Sequence, residues 1–128
     1  MIVRRVLGPD HPDTLATVNN LAGVLNDQGE HAEAEKMYRD VLAVQRRVLG
    51  PEHPSTLMTG NNLAVTLDCL GKYAEAAAML REVLDVERRV LGPEHPKTVA
   101  TAANLDDCTR AASKNQTEPE TDTPAPTV

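Results

Sequence analysis

Apolar and small side chains recur every three or four residues along two early stretches of the chain, which is the spacing of one face of an α-helix. The first stretch spans residues 15–25 and ends near Gly29, and the second spans residues 34–49 and ends at Gly50. Glycine suits the left-handed conformation that often follows a helix, and the next residue, Pro51, cannot continue one. The pattern therefore predicts a shorter helix A, a tight turn and a longer helix B.

The sequence pattern of this helix pair repeats 42 residues further on. The stretch "RRVLGPEHP" occurs at residues 46–54 and 88–96, and "RRVLGPDHP" occurs at residues 4–12. When residues 4–45 are aligned with residues 46–87, 25 of the 42 positions are identical. Self-similarity at this period indicates stacked repeats, because a single unit cannot bury its own apolar face. The nonapeptide is then the joint between units, and its last proline suits the first turn of the next helix A.

We therefore predict an all-α fold, an antiparallel helix-pair solenoid of about two and a half repeats. A remnant of a preceding helix B with its joint is expected at residues 1–11, followed by two complete units at residues 12–53 and 54–95. A capping helix A at residues 96–112 and a disordered tail at residues 113–128 complete the expected divisions. The tail is predicted to be disordered because it is rich in Thr, Pro and Glu and almost free of large apolar residues.

The first helix A raises a separate expectation. The segment before it, "IVRRVLG", is interpreted as only the last turns of a helix B. With so short a neighbour, we expect Leu15 and Val18 to be partly exposed. An exposed apolar strip favours a missing neighbour or a partner. The two hypotheses are a fragment of a longer array and self-association through this N-terminal edge.

Composition and charge narrow the class of partner. The chain has 128 residues, a net charge of −6 and no Trp or Phe, so Ala, Leu and Val must fill a closely packed helical core. The acidic balance argues against a nucleic-acid partner, whose binding needs a basic face. No apolar run reaches the 18 residues that a membrane span needs. No secretory signal opens the chain, so Cys69 and Cys108 are typical of reduced thiols and we predict a cytoplasmic protein.

The residues show no catalytic constellation and no phosphate-binding loop, so we expect no enzyme activity and no cofactor. The histidines of the joints, His11, His53 and His95, are candidate metal ligands. They recur once per repeat, however, so stacking places them in a row, and neither cysteine has metal-ligand spacing. We therefore predict no metal site. The acidic residues of helix B are expected to pair with neighbouring arginines on its polar side.

The pattern "NNLA…L…G…AEA…M…VL" resembles the tetratricopeptide repeat, and the 42-residue period with "LGPEHPxT" between units resembles the kinesin light chain type. The resemblance covers residues 4 to about 104. It implies that the small residues through which the two helices approach closely are Ala22 and Ala64 in helix A, and Ala34 and Ala76 in helix B.

The resemblance further implies a concave groove, lined by successive helices A, that holds a peptide of a partner protein. The residues carried onto that face as candidate peptide contacts are Asn19, Asn20, Asn61, Asn62, Asn104, Met58, Val65 and Arg110. An asparagine amide has both a donor and an acceptor, so a row of them can pair with a peptide backbone. The alternative is that these asparagines hydrogen-bond to neighbouring helices as part of the repeat.

The predicted function is a protein-interaction adaptor that binds an extended peptide in this groove. Because the groove is poor in cations, the expected ligand is neutral or weakly basic. The alternative function is a structural section of a longer solenoid that provides spacing or oligomerisation, for example in a signalling protein.

Overall fold

The computed structural model describes the backbone of residues 11–122 and the side chains of residue 11 and residues 13–114. These residues form five helices and no strand. They are α1 (Pro12–Asp27), α2 (His31–Val48), α3 (Pro54–Cys69), α4 (Tyr73–Val90) and α5 (Pro96–Asp122). Each helix packs against the next in sequence, and α1 also contacts α3. The predicted all-α helix-pair solenoid is confirmed, with α1, α3 and α5 as helices A and α2 and α4 as helices B.

Each helix B ends at a glycine in the left-handed region. Gly50 has φ = 97° and Gly92 has φ = 96°, a conformation that residues with a side chain rarely adopt. The N–H of Gly50 donates to the carbonyl oxygen of Gln45 at 3.0 Å, which satisfies a carbonyl group at the end of the helix. The next helix A begins four residues later, at Pro54. The chain therefore turns from one unit to the next within a short, fixed joint.

The joint histidines cap the helices that follow them. The Nδ1 atom of His53 accepts a hydrogen bond from the backbone N–H of Ser55 at 3.0 Å. His11 and His95 accept in the same way from Asp13 and Lys97, at 3.1 Å in both cases. Each ring therefore satisfies one of the N–H groups that a helix start leaves without an intrahelical partner. The sequence predicted these histidines as a row along the joints, and their role there is helix capping.

Four alanines allow the helices to approach closely. Ala22, Ala34, Ala64 and Ala76 are all at most 1% exposed and belong to one continuous apolar cluster. The same cluster contains Tyr38 and extends to Cys108 of α5. The expectation that small residues occupy these positions is confirmed. The core therefore runs through both units rather than forming separately in each.

The N-terminal edge differs from the expectation. Leu15 and Val18 are 4% and 6% exposed, so the prediction that they are partly exposed is wrong. They form a buried cluster with Val41, and Met37 and Val44 of the same helix pack against it. Both residues pack against the helix B of their own unit. Residues 1–10, which include most of the expected helix B remnant, lie outside the described residues.

The C-terminal helix also differs from the expected division. Helix α5 runs to Asp122, whereas disorder was predicted from residue 113. Beyond residue 110, Ala111, Ala112, Lys114 and Gln116 are good helix formers, so local propensity favours continuation of the helix to about residue 116. The outer face of α5 is polar at a position where the repeat would place a core residue. Asp106, the equivalent of Ala64, is exposed and pairs with Arg110. Residues 123–128 of the tail lie outside the described residues.

Ion pairs join the outer faces of α2 and α4. Arg39 pairs with Glu35 at 2.7 Å and with Glu75 at 2.9 Å, and Lys72 pairs with Glu35 at 3.1 Å. Burial acts to raise the pKa of Glu35, but the hydrogen bonds and charges of Arg39 and Lys72 outweigh it, so the pKa of Glu35 is lowered. The ionised form of Glu35 therefore stabilises the stacking of one helix B on the next.

We predict that His53→Ala lowers the free energy of unfolding by about 1 kcal/mol, because the first turn of α3 loses its side-chain acceptor. His53→Asn should retain most of the stability, because its side-chain oxygen can accept the same bond. Urea unfolding of the two variants measures the difference. Equal stability of the alanine variant and the wild type would show that the cap is energetically unimportant.

We also predict that Glu35→Gln destabilises the protein by about 1 kcal/mol at neutral pH, because Arg39 and Lys72 lose a charged partner. Since the pKa of Glu35 is lowered on folding, its contribution is present above the ordinary range near 4.5 and is lost as the pH falls through the lowered value. The wild type and the variant should therefore converge in acid. Unfolding at a series of pH values tests this, with the exposed Asp40→Asn as control. A difference that does not change with pH would contradict the ion-pair explanation.

Candidate functional site

Two grooves lie between successive helices A. The first, of about 160 Å³, lies between α1 and α3, and the end of α2 forms its floor. The second, of about 360 Å³, lies between α3 and α5, and the end of α4 forms its floor. With the exception of Asn20, every residue lining the first groove has its equivalent, 42 positions further on, in the lining of the second. The repeated joint therefore produces two copies of one groove.

Asn19 and Asn61 tie each helix A to the next. The Nδ2 of Asn19 donates to the hydroxyl of Thr59 at 2.8 Å, and the Nδ2 of Asn61 donates to the hydroxyl of Thr101 at 3.4 Å. The Oδ1 atoms of both asparagines are buried and accept no hydrogen bond from a described residue. These two candidates therefore have a structural role through their amide N–H groups, while their carbonyl oxygens are buried beside the grooves without a donor among the described residues.

Asn20, Asn62 and Asn104 are placed differently. Asn20 and Asn104 are exposed and Asn62 is half-buried. None of their side chains hydrogen-bonds to a described residue. Asn20 and Asn62 line the first groove, and Asn104 lines the second. The donor and acceptor of each amide are therefore free to meet a ligand.

The three remaining candidates, Met58, Val65 and Arg110, lie on different surfaces. Met58 is 56% exposed and lines both grooves, so it forms the apolar ridge between them. Val65 is 46% exposed and lines a third, smaller depression, together with Asp68, Asp107 and Cys108. Arg110 lines none of these three surfaces, and its guanidinium pairs with Asp106.

The sequence analysis missed two residues on the groove floors, Gln45 and Glu87. They are 3% and 2% exposed, and in both the Oε1 atom accepts no hydrogen bond from a described residue. A signal for them was available: Gln45 continues the buried stripe of α2 that contains Val41 and Leu42, and Glu87 does the same in α4. A polar side chain on such a stripe is informative because it must be satisfied or serve a site.

The two grooves differ in charge. Among the described residues, no ionisable side chain lines the first groove. The second is lined by Glu52, Glu87, His95 and Lys97. The carboxylate of Glu52 pairs with Arg89 at 2.7 Å, and the Nδ1 of His95 caps α5, so both are occupied. Glu87 is therefore the buried groove residue whose carboxyl group has an oxygen, Oε1, without a hydrogen-bond partner among the described residues.

Cys108 is shielded at the edge of the third depression. Burial, reinforced by the negative charge of Asp68, raises the pKa of the Cys108 thiol to about 11. Its Sγ donates to the Oδ1 of Asp68 at 3.7 Å. Cys69 is exposed, and neither cysteine forms a disulfide. A buried thiol that stays protonated at neutral pH is a poor nucleophile and a poor metal ligand.

The described side chains that line the two grooves are mostly amide and apolar groups. Among residues 11–114, no three His, Cys, Asp or Glu side chains come together in a group that could hold a metal ion. Within the same part of the chain, no helix combines the length and the apolarity that crossing a membrane requires. The groove walls instead combine amide groups with apolar side chains, which suits the backbone and side chains of a peptide.

Comparison with known proteins agrees with this architecture. The tetratricopeptide repeat model matches residues 13–86. The crystal structure of a kinesin light chain-type protein of Podosopora anserina with nearly identical TPR-like repeats superposes with a TM-score of 0.84 at 30% identity, over 90% of this chain and 55% of that one. A single-substitution variant of that protein superposes with a TM-score of 0.73 at 31% identity, over 87% of this chain and 52% of that one.

A more distant structure shares the fold alone. BtubC (BKLC) from P. vanneervenii gives a TM-score of 0.72 at 20% identity, over 77% of this chain and 39% of that one. This chain thus spans about half of the length of the Podosopora structures that it matches. No curated protein matches the sequence.

We predict that a thiol reagent such as dithionitrobenzoate modifies Cys69 rapidly in the native protein and Cys108 only after unfolding, because burial keeps the Cys108 thiol covered and protonated. The time course of thionitrobenzoate release with and without denaturant measures this. The Cys69→Ser variant should lose the fast phase. A fast phase that persists in this variant would contradict the assigned burial of Cys108.

Proposed function

The chain belongs to the tetratricopeptide repeat family, with repeats of the kinesin light chain type, and from this premise we propose that it is a protein-interaction module that performs no chemistry. It holds an extended peptide segment of a partner protein along the concave side, across α1, α3 and α5. The polar side chains of that surface bind and orient the segment, and the outer faces of α2 and α4 serve to stack the repeats.

The observation that carries this proposal is the row of unoccupied amides at equivalent positions of the three helices A. Asn20, Asn62 and Asn104 are each 42 residues apart, and none has a side-chain partner among the described residues. A peptide backbone presents alternating N–H and C=O groups, which match the donor and acceptor of an asparagine side chain. Such a row supports binding of extended chains with little dependence on their sequence.

Apolar contacts supply a second part of the binding surface. Met58, Leu57 and Leu91 line the grooves beside the amides, and Met58 is more than half exposed. A flexible methionine adapts to side chains of different shapes. Arg110, the cation proposed for this face, is engaged by Asp106, so the described groove favours a neutral or weakly basic segment over an acidic one.

A second candidate function is a structural section of a longer array. It is supported by the length of the Podosopora structures, of which this chain covers 55% and 52%. Leu21 and Val24 of α1 are also 37% and 50% exposed, and apolar side chains of this kind can pack against another repeat or a second copy. In this case the asparagine row carries no ligand.

Selection of random extended peptides displayed on phage, with the full chain as bait, tests the groove. We predict that replacement of Asn20, Asn62 and Asn104 by alanine weakens binding of the selected peptides about tenfold or more, because several backbone hydrogen bonds are lost. The matched control replaces three exposed residues of the outer face, Lys36, Arg81 and Asp85, by alanine.

Fluorescence anisotropy gives the affinities, and circular dichroism verifies that each variant keeps its helicity. The control should bind like the wild type. Equal binding by the asparagine variant, or loss of binding in the outer-face variant alone, would move the interaction away from the grooves and contradict the proposal.

A further inference from the structure

The floor of the second groove holds a buried carboxyl group, and one of its oxygens lacks a hydrogen-bond partner among the described residues. Glu87 is 2% exposed, and its Oε1 atom has no hydrogen-bond donor among the described residues. The Oδ1 of Asn61, which lines the same groove, is also buried and unsatisfied. A carboxylate removed from water is costly unless a cation or several donors meet it. Two acceptors that share one groove therefore call for a ligand that brings N–H groups.

Among the described residues, no cation of the groove pairs with Glu87. Arg89, two residues further along the chain, is held by Glu52 at 2.7 Å. Lys97 lies on the exposed rim of the groove and forms no ion pair with a described residue. His95 uses its Nδ1 to cap α5. The unsatisfied Oε1 of Glu87 is thus left to an incoming donor.

The first groove provides an internal comparison. Gln45 occupies the position equivalent to Glu87, is 3% exposed, and also has an unsatisfied Oε1. Asn19 supplies the same buried Oδ1 that Asn61 supplies in the second groove. The two floors therefore share their geometry and differ by the charge of one side chain. An uncharged donor suffices for the first floor, whereas the second favours a cation.

We propose that the second groove is a subsite for an arginine side chain of the bound segment, an inference that rests on the proposed peptide-binding function. The guanidinium donates to Glu87 and Asn61, and its aliphatic stem lies against Leu57 and Leu91. Arginine fits two acceptors because its five N–H groups form a rigid planar fork. The groove, at about 360 Å³, is within the range of small-ligand pockets.

The test uses the isotope-labelled full chain and capped pentapeptides in which arginine, or its uncharged isostere citrulline, is flanked by alanines. Amide shifts in NMR spectra report both the affinity and the location of binding. The arginine peptide should shift residues around Glu87 and bind about tenfold tighter than the citrulline peptide, because charge-assisted hydrogen bonds are stronger than neutral ones. Glu87→Gln, which is isosteric, should abolish this preference. Gln45→Glu should create a second arginine site, in the first groove.

Three results would overturn the arginine subsite. They are equal affinity for the arginine and citrulline peptides, a preference for arginine that survives Glu87→Gln, and no groove shift by the arginine peptide at about 10 mM. The phage-display selection tests the proposed peptide-binding function separately. Selected peptides that need Asn20, Asn62 and Asn104 but show no arginine would leave the groove function standing, whereas peptides that ignore these asparagines would remove both.

Discussion

The joint between units is the constraint on which the rest of this structure depends. A left-handed glycine ends each helix B, as at Gly50, and a histidine side chain caps the helix A that follows, as at His53. Neither element tolerates a change of spacing, because the glycine must follow the last helical turn and the cap must precede the next. The joint has the same length in each repeat, and together with helices A of 16 residues and helices B of 18 residues it gives the 42-residue register. This register brings equivalent residues of successive helices A side by side.

This register explains why the chain has two grooves of the same design. Asn19 bonds to Thr59 and Asn61 bonds to Thr101, so the same hydrogen bond spaces each pair of helices A. Within this repeated arrangement, a single difference between repeats changes the chemistry of a groove floor but not the size of the side chain there. The floor residue is Gln45 in one groove and Glu87 in the other. Under the proposed peptide-binding function, differences between copies set the binding specificity, while the repeated arrangement itself stays constant.

Periodicity predicted the helices and the joints, because apolar stripes, terminal glycines and first-turn prolines are local signals. The resemblance to the tetratricopeptide repeat, rather than periodicity, implied that Ala22 and Ala64 are packing positions. Periodicity did not reveal that Leu15 and Val18 pack against their own helix B, since burial depends on the packing of two helices rather than on the neighbours in sequence. Likewise, it could not separate Asn19 from the adjacent Asn20. The partner of Asn19 lies 40 residues away, and its distance is set by the stacking of the units.

The most direct test of this account is a crystal structure of the full chain bound to a display-selected peptide. The account predicts an extended peptide that crosses α1, α3 and α5, with its backbone hydrogen-bonded to the side chains of Asn20, Asn62 and Asn104. A peptide bound to the outer faces of α2 and α4, or one that leaves these three amides in solvent, would contradict it.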